Sequence, residues 1–113
     1  MKSEKVQKFF SKLVEMTKSG AIRWNRCSAR VVDAEMFRAD NNSSFFCGYN
    51  HGIIILASNY DGTISCFIQP DEDLDYDLFG ENDAPELKRL YNLVFSRFPS
   101  LDSFVDMIIN SEN

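Results

Sequence analysis

A single histidine, His51, is all the imidazole in the chain, which excludes any site built on paired histidines. The three cysteines, Cys27, Cys47 and Cys66, are odd in number and form no Cys-x-x-Cys pair, which argues against both a disulfide framework and a zinc site. Reduced, buried thiols are expected, because Cys47 and Cys66 fall inside apolar, strand-like runs where a free cysteine behaves as a small hydrophobe. The longest wholly apolar run, Ile53 to Ala57, is far short of the roughly 20 residues that cross a bilayer. The N-terminal pattern carries Glu4 and Glu15 and lacks a signal peptide's apolar core, so a cytoplasmic protein without membrane contact is expected. Neither a Gly-x-Gly-x-x-Gly, a phosphate-binding loop nor a nucleophile elbow is present, and the expectation is a non-enzyme with no cofactor and no metal.

What the chain does have is sorted charge. Residues 1–38 hold nine Lys or Arg against four Asp or Glu, whereas residues 39–113 hold three against thirteen, for a net charge of −5. Seven of those acids lie between Asp71 and Asp83. Separated charge of this kind steers association and does not by itself break bonds. The 113 residues suit one domain, burying roughly 65 per cent of the unfolded surface, and ten Phe supply core material.

Val6, Phe9, Phe10, Leu13, Val14 and Thr17 recur at spacings of three and four, predicting a helix over residues 3–18 that Ser3 caps and Gly20 stops. Lys5, Lys8 and Lys12 lie off that face, with Glu4 placed to pair with Lys8. The period then becomes two, Ile22 and Trp24 alternating with Arg23 and Asn25, as in a half-buried strand. From Ser28 to Ser44 the signal is weak, with Val31 and Val32 suited to a strand and Asp33 to capping a short turn through Met36 and Phe37.

Phe45 to Tyr49, Ile53 to Ser58 and Thr63 to Gln69 read as three strands of an antiparallel meander. Their loops end in Gly52 and Gly62, each suited to the left-handed position of a hairpin. Ile53 to Leu56 is apolar on both faces and predicts a central strand covered on both sides or at a subunit contact. Pro70 ends the third strand, and an acidic loop follows to Asp83, a candidate N-cap. Leu87, Leu90, Tyr91, Val94 and Phe98 predict a helix over 84–98, and Ser100 starts another with Leu101, Phe104, Val105, Ile108 and Ile109 as its stripe. The expected fold is α+β: an antiparallel sheet of about four strands with an N-terminal helix and two C-terminal helices packed on it.

Within the acidic loop, Asp71, Asp73, Asp75 and Asp77 alternate like calcium ligands, but Tyr76 and Asn82 stand where the tight-turn glycine and bidentate glutamate belong. A surface for a basic protein partner fits better, with Asp71, Asp73, Asp75, Tyr76, Asp77 and Phe79 facing it, and Leu74 as a further apolar anchor. The alternative is nucleic-acid binding through Lys5, Lys8, Lys12, Arg23 and Arg26. The two poles could also meet within one chain or across a homodimer. A third class, an enzyme using Cys47 with His51, rests on their nearness in sequence alone. Trp24, the one tryptophan, reads as a core residue.

Thr17-Lys18-Ser19-Gly20-Ala21-Ile22-Arg23-Trp24, the hairpin from Gly48 to Leu56 and Leu90-Tyr91-Asn92-Leu93-Val94 resemble a recurrent group of short bacterial proteins of uncharacterised function. In that group a helix ends in a Lys-Ser-Gly turn and leads into a Trp-bearing strand, a meander and a Leu-Tyr-containing helix. The resemblance implies a small α+β domain, of a group often encoded in phage or mobile-element surroundings, and no particular activity. Cys27 to Ser44 is an insertion relative to the shorter pattern.

Overall fold

The first helix, α1 (Ser3–Ser19), buries Val6, Phe10, Leu13, Val14 and Thr17, the stripe its spacing predicts. This is a computed structural model, and it describes residues 3–27, 39–40, 43–71, 74–98 and 100–111. The readings at Val31, Val32, Asp33, Met36 and Phe37, and at Asp73, lie outside those residues. Gly20 ends α1 in a left-handed conformation at φ +78°, where a side chain would be strained. The Ala21 amide donates to the Met16 carbonyl at 2.9 Å and the Gly20 amide to that of Thr17 at 3.3 Å, closing the last turn.

Ile22 and Trp24 then point inward and Arg23 and Asn25 outward, as the alternation requires. The ladder nevertheless begins only at β1 (Asn25–Arg26), opposite Phe46 and Phe45. Upstream backbone is engaged by the helix end, the Ile22 amide donating to Met16 O at 3.4 Å. Four further strands follow: β2 (Phe45–Tyr49), β3 (Gly52–Ser58), β4 (Ile64–Gln69) and β5 (Asp77–Gly80). They form one antiparallel sheet in sequential order, five strands where about four were expected, and β5 comes from the segment expected to be a loop.

One row of cross-strand neighbours, Phe45, Leu56, Cys66 and Phe79, runs across four strands on the inner face, and all four side chains are buried. Phe10 meets Phe79 edge-on at 5.8 Å, joining α1 to this row. The second helix, α2 (Glu86–Ser96), adds Leu87, Leu90, Tyr91 and Val94, and Phe45 stacks on Phe98 just beyond its end at 4.7 Å. Each large aliphatic or aromatic chain buried here contributes about 1.5–3 kcal/mol. The core also holds one polar chain of contacts, in which Trp24 Nε1 donates to Thr17 Oγ1 at 3.0 Å and Thr17 Oγ1 donates to Leu13 O at 2.7 Å.

The outer face carries a smaller cluster of Cys27, Ile55 and Phe67, with Phe46 and Ile53 packed against it. The central strand β3 is therefore covered on both sides, as its apolar run predicts. Its hairpins differ in one respect from expectation. Gly62 is left-handed at φ +89°, but in the first hairpin Asn50 takes that position at φ 55°. Gly52 is required for a different reason: a Cβ there would sit 2.8 Å from Gln69 O and 2.9 Å from Pro70 O, both fixed backbone.

Helix α2 starts after Pro85 rather than at Asp83, whose Oδ2 instead accepts the Gly80 amide at 2.9 Å. The third helix, α3 (Leu101–Ile109), is capped by Ser100, whose Oγ accepts the Ser103 amide at 3.1 Å. It is not packed on the sheet as expected. None of its residues is buried, and its apolar stripe is left exposed.

Candidate functional site

The acidic segment is split by β5 into groups with different tasks. Alternate residues of an edge strand turn their amides away from the ladder. At β5 those amides belong to Leu78 and Gly80, and carboxylates take both: Leu78 N donates to Asp77 Oδ1 at 2.9 Å and Gly80 N to Asp83 Oδ2 at 2.9 Å. Glu81 Oε1 accepts the Ile64 amide at 3.0 Å at the start of β4. Asp77, Glu81 and Asp83 thus hold backbone, and Asp77 and Asp83 close the sheet edge.

Of the residues expected to face a partner, Asp75, Tyr76 and Asp77 are exposed and Asp71 is half-buried. Phe79 is a correction. It is 6 % exposed, opposite Cys66 and against Phe10, because its place in the ladder turns it to the inner face. The apolar residue that replaces it at the surface is Leu78, which lies opposite Phe67. Leu74, Tyr76 and Leu78, exposed by 57, 53 and 49 %, follow one another at alternate positions. The Tyr76 ring lies 4.9 Å from that of Phe67, so this strip borders the outer-face cluster. Gln69 Nε2 donates to Leu74 O at 2.9 Å and holds the loop to β4. The period-two spacing of Leu74, Tyr76 and Leu78 was the sequence signal for this strip.

The basic residues do not converge. Lys8 and Lys12 border a shallow hollow along α1 with Glu4 and Glu15, and Lys12 pairs with Glu15 at 3.6 Å. Lys5 is exposed on the same helix. Arg23 instead borders a hollow with Trp24 and Arg97, and Arg26 lies with its guanidinium 5.4 Å above the Phe98 ring. Cation–π contact of this kind commits Arg26 to the core's rim. The salt bridges Lys12–Glu15 and Glu86–Arg89 each stay within one helix.

Cys47 and His51 are not brought together as a nucleophile and base. Cys47 is fully buried in β2, and burial pushes its thiol up to about 12, while His51 is exposed in the hairpin turn. A thiolate at neutral pH is the species such chemistry needs. Burial likewise raises Cys27 to about 11, and raises Cys66 further with a smaller contribution from Cys47 beside it. Among the described residues no group of three or more His, Cys, Asp or Glu is placed to hold a metal ion, and no helix is long and apolar enough to cross a membrane.

Compared with known proteins, the chain matches no family model, and no curated protein or solved structure is significantly similar to it.

Proposed function

We propose that this chain is a non-enzymatic protein-interaction module that engages a basic partner through the outer-face strip Leu74, Tyr76 and Leu78 and its acidic rim. The observation that carries this reading is the strip itself: three large apolar side chains exposed at alternate positions, interleaved with Asp75 and Asp77. Apolar and aromatic side chains set among charges concentrate binding energy, while the charges set encounter rate and register. Asp71 and Asp75 serve as rim charges on the segment that carries the strip. Asp77 serves both roles. The three free, buried cysteines support a reducing, cytoplasmic setting.

The test is affinity capture from bacterial cells with the intact chain, with Tyr76→Ala and with Asp71→Asn/Asp75→Asn. Tyr76→Ala is expected to lose the captured partner, and the double Asn variant to retain it at low salt but with a weaker salt dependence. A partner captured equally by all three proteins refutes this reading. Binding of labelled DNA or RNA at low salt that disappears on replacing Lys5, Lys8 and Lys12 by Gln refutes it in favour of nucleic acid.

A further inference from the structure

With 17 Asp or Glu against 12 Lys or Arg, carboxylates outnumber cations in this chain, yet among the described residues Arg23 and Arg97 pair with none. Both border one hollow of about 370 Å³ between the ends of α1 and α2, and no acidic residue borders it with them. Capping of the two helices does not account for them. Met16 O and Thr17 O accept the amides of Ala21 and Gly20 at the end of α1, and Val94 O and Phe95 O accept those of Arg97 and Phe98 at the end of α2. Arg97 gives only Nη2 to Lys18 O, at 3.5 Å, and among the described residues the Arg23 guanidinium makes no hydrogen bond. A guanidinium carries five N–H donors in a planar fork, so most of those on this rim are unspent.

The floor of the hollow has the opposite character. Thr17, Trp24 and Val94 are buried there, and its polar atoms are already engaged, Trp24 Nε1 with Thr17 Oγ1 and Thr17 Oγ1 with Leu13 O. Phe98 forms a wall whose ring is fixed by Phe45, stacked at 4.7 Å, and by the Arg26 guanidinium at 5.4 Å.

We infer that this hollow binds a small organic carboxylate, with the ligand's aromatic or aliphatic body over Trp24 and beside Phe98 and its carboxylate between Arg23 and Arg97. An apolar concavity with a few convergent polar groups is the usual form of a small-molecule site, and such sites start at about 300 Å³. Charge selects a carboxylate over a phosphate ester. The two guanidiniums bring two positive charges, and the C-terminal ends of α1 and α2, which border the same hollow, bring about −0.5 each. The balance of about +1 matches one carboxylate and falls short of a phosphate monoester at about −1.5 to −2. Guanidinium also offers carboxylate two parallel N–H donors, which fixes the ligand's orientation as well as its charge. The hollow shares no residue with the outer-face strip, so the inference stands apart from the proposed partner surface.

Trp24 is the only tryptophan and lies in the floor, so its indole N–H resonance in proton–nitrogen correlation spectra of the full chain reports the site. Titration with 2-naphthoate at low salt is expected to move that resonance saturably with a Kd of about 0.1–1 mM. Acetate, which lacks the body, and naphthalene-2-carboxamide, which lacks the charge, are each expected to bind at least ~10-fold more weakly, and 2-naphthyl phosphate no more tightly than the carboxylate. Arg23→Gln and Arg97→Gln are each expected to weaken 2-naphthoate by about 10-fold with unchanged far-UV circular dichroism, since both side chains are exposed and outside the core. Absence of a saturable shift overturns the inference. So does affinity that survives Arg23→Gln/Arg97→Gln, a carboxamide that binds as tightly as the carboxylate, a phosphate that binds more tightly, or shifts confined to the neighbourhood of Phe9 and Ile54.

Discussion

Replacing Thr17 by Val removes one oxygen and keeps the branched shape. That oxygen accepts the only indole N–H in the protein, and Thr17 and Trp24 are 2 and 9 % exposed at the floor of the hollow that Arg23 and Arg97 border. The donor is left buried and unpaired, which costs about 1–3 kcal/mol. Loss of the Thr17 hydroxyl's own bond to Leu13 O costs little, since that carbonyl also serves the helix ladder. For a chain of 113 residues the unfolding entropy is about 0.24 kcal/mol/K, so each kcal/mol moves the melting temperature by about 4 °C. A fall of roughly 4–12 °C is expected for Thr17→Val. Thr17→Ser, which keeps the hydroxyl, should lose much less.

A double-mutant cycle separates the hydrogen bond from packing. In a Trp24→Phe background the donor is gone, so the step from Thr17 to Val becomes nearly neutral, and a coupling of about 1–2 kcal/mol is expected. Thermal unfolding followed by circular dichroism measures all four corners, and Trp24 fluorescence reports the site directly in the two that retain it. Equal cost for Thr17→Val with and without the indole would refute the reasoning, because the loss would then arise from packing alone.

Two further outcomes follow from the buried thiols and the closed edge. Folded Cys27 and Cys47 ionise at about 11 and 12 against 9.0 for an ordinary thiol, so stability holds below about pH 9 and declines as pH rises toward 11–12. Urea midpoints at pH 8 and 10.5 measure the decline, Cys47→Ala should reduce it, and a midpoint insensitive to both contradicts the assignment. Replacing Asp77 and Asp83 together by Ala frees the outward amides of Leu78 and Gly80, and slow aggregation with amyloid-dye binding is expected, whereas Asn at both positions should preserve solubility.

The parts of the fold legible in the sequence are those decided locally. Helix α1 announces itself by a stripe and a glycine stop, and both lie within twenty residues of one another. The meander is equally local, since its turns and strands are neighbours in sequence. Strand β5 is hidden because the density of carboxylates around Asp77 reads as a loop, although its pairing with β4 spans no more sequence than that of β3 with β4. Burial of Phe79 and exposure of Leu78 follow from that register and from nothing in the local composition. The stripe of α3 correctly marks a helix, but a stripe states that a face is to be covered and not by which surface. Glycine at position 52 was legible as a requirement, though its cause, the backbone of Gln69 and Pro70, is tertiary.

The closed edge of β5 also constrains how a partner is recognised. A peptide adding itself as a sixth strand beside β5 would need the Leu78 and Gly80 amides, and each already donates to a carboxylate. Hydrogen bonds to an ionised acceptor are about twice as strong as neutral ones, so the incoming carbonyls would replace better acceptors with poorer ones. Displaced Asp77 and Asp83 would then stand beside the new strand without their donors. Recognition through the face formed by Leu74, Tyr76 and Leu78 has no such cost, because those side chains already project from the sheet. On the proposed reading, Asp77 would therefore both attract a basic partner and, with Asp83, direct it to side-chain contact on the face and away from the edge.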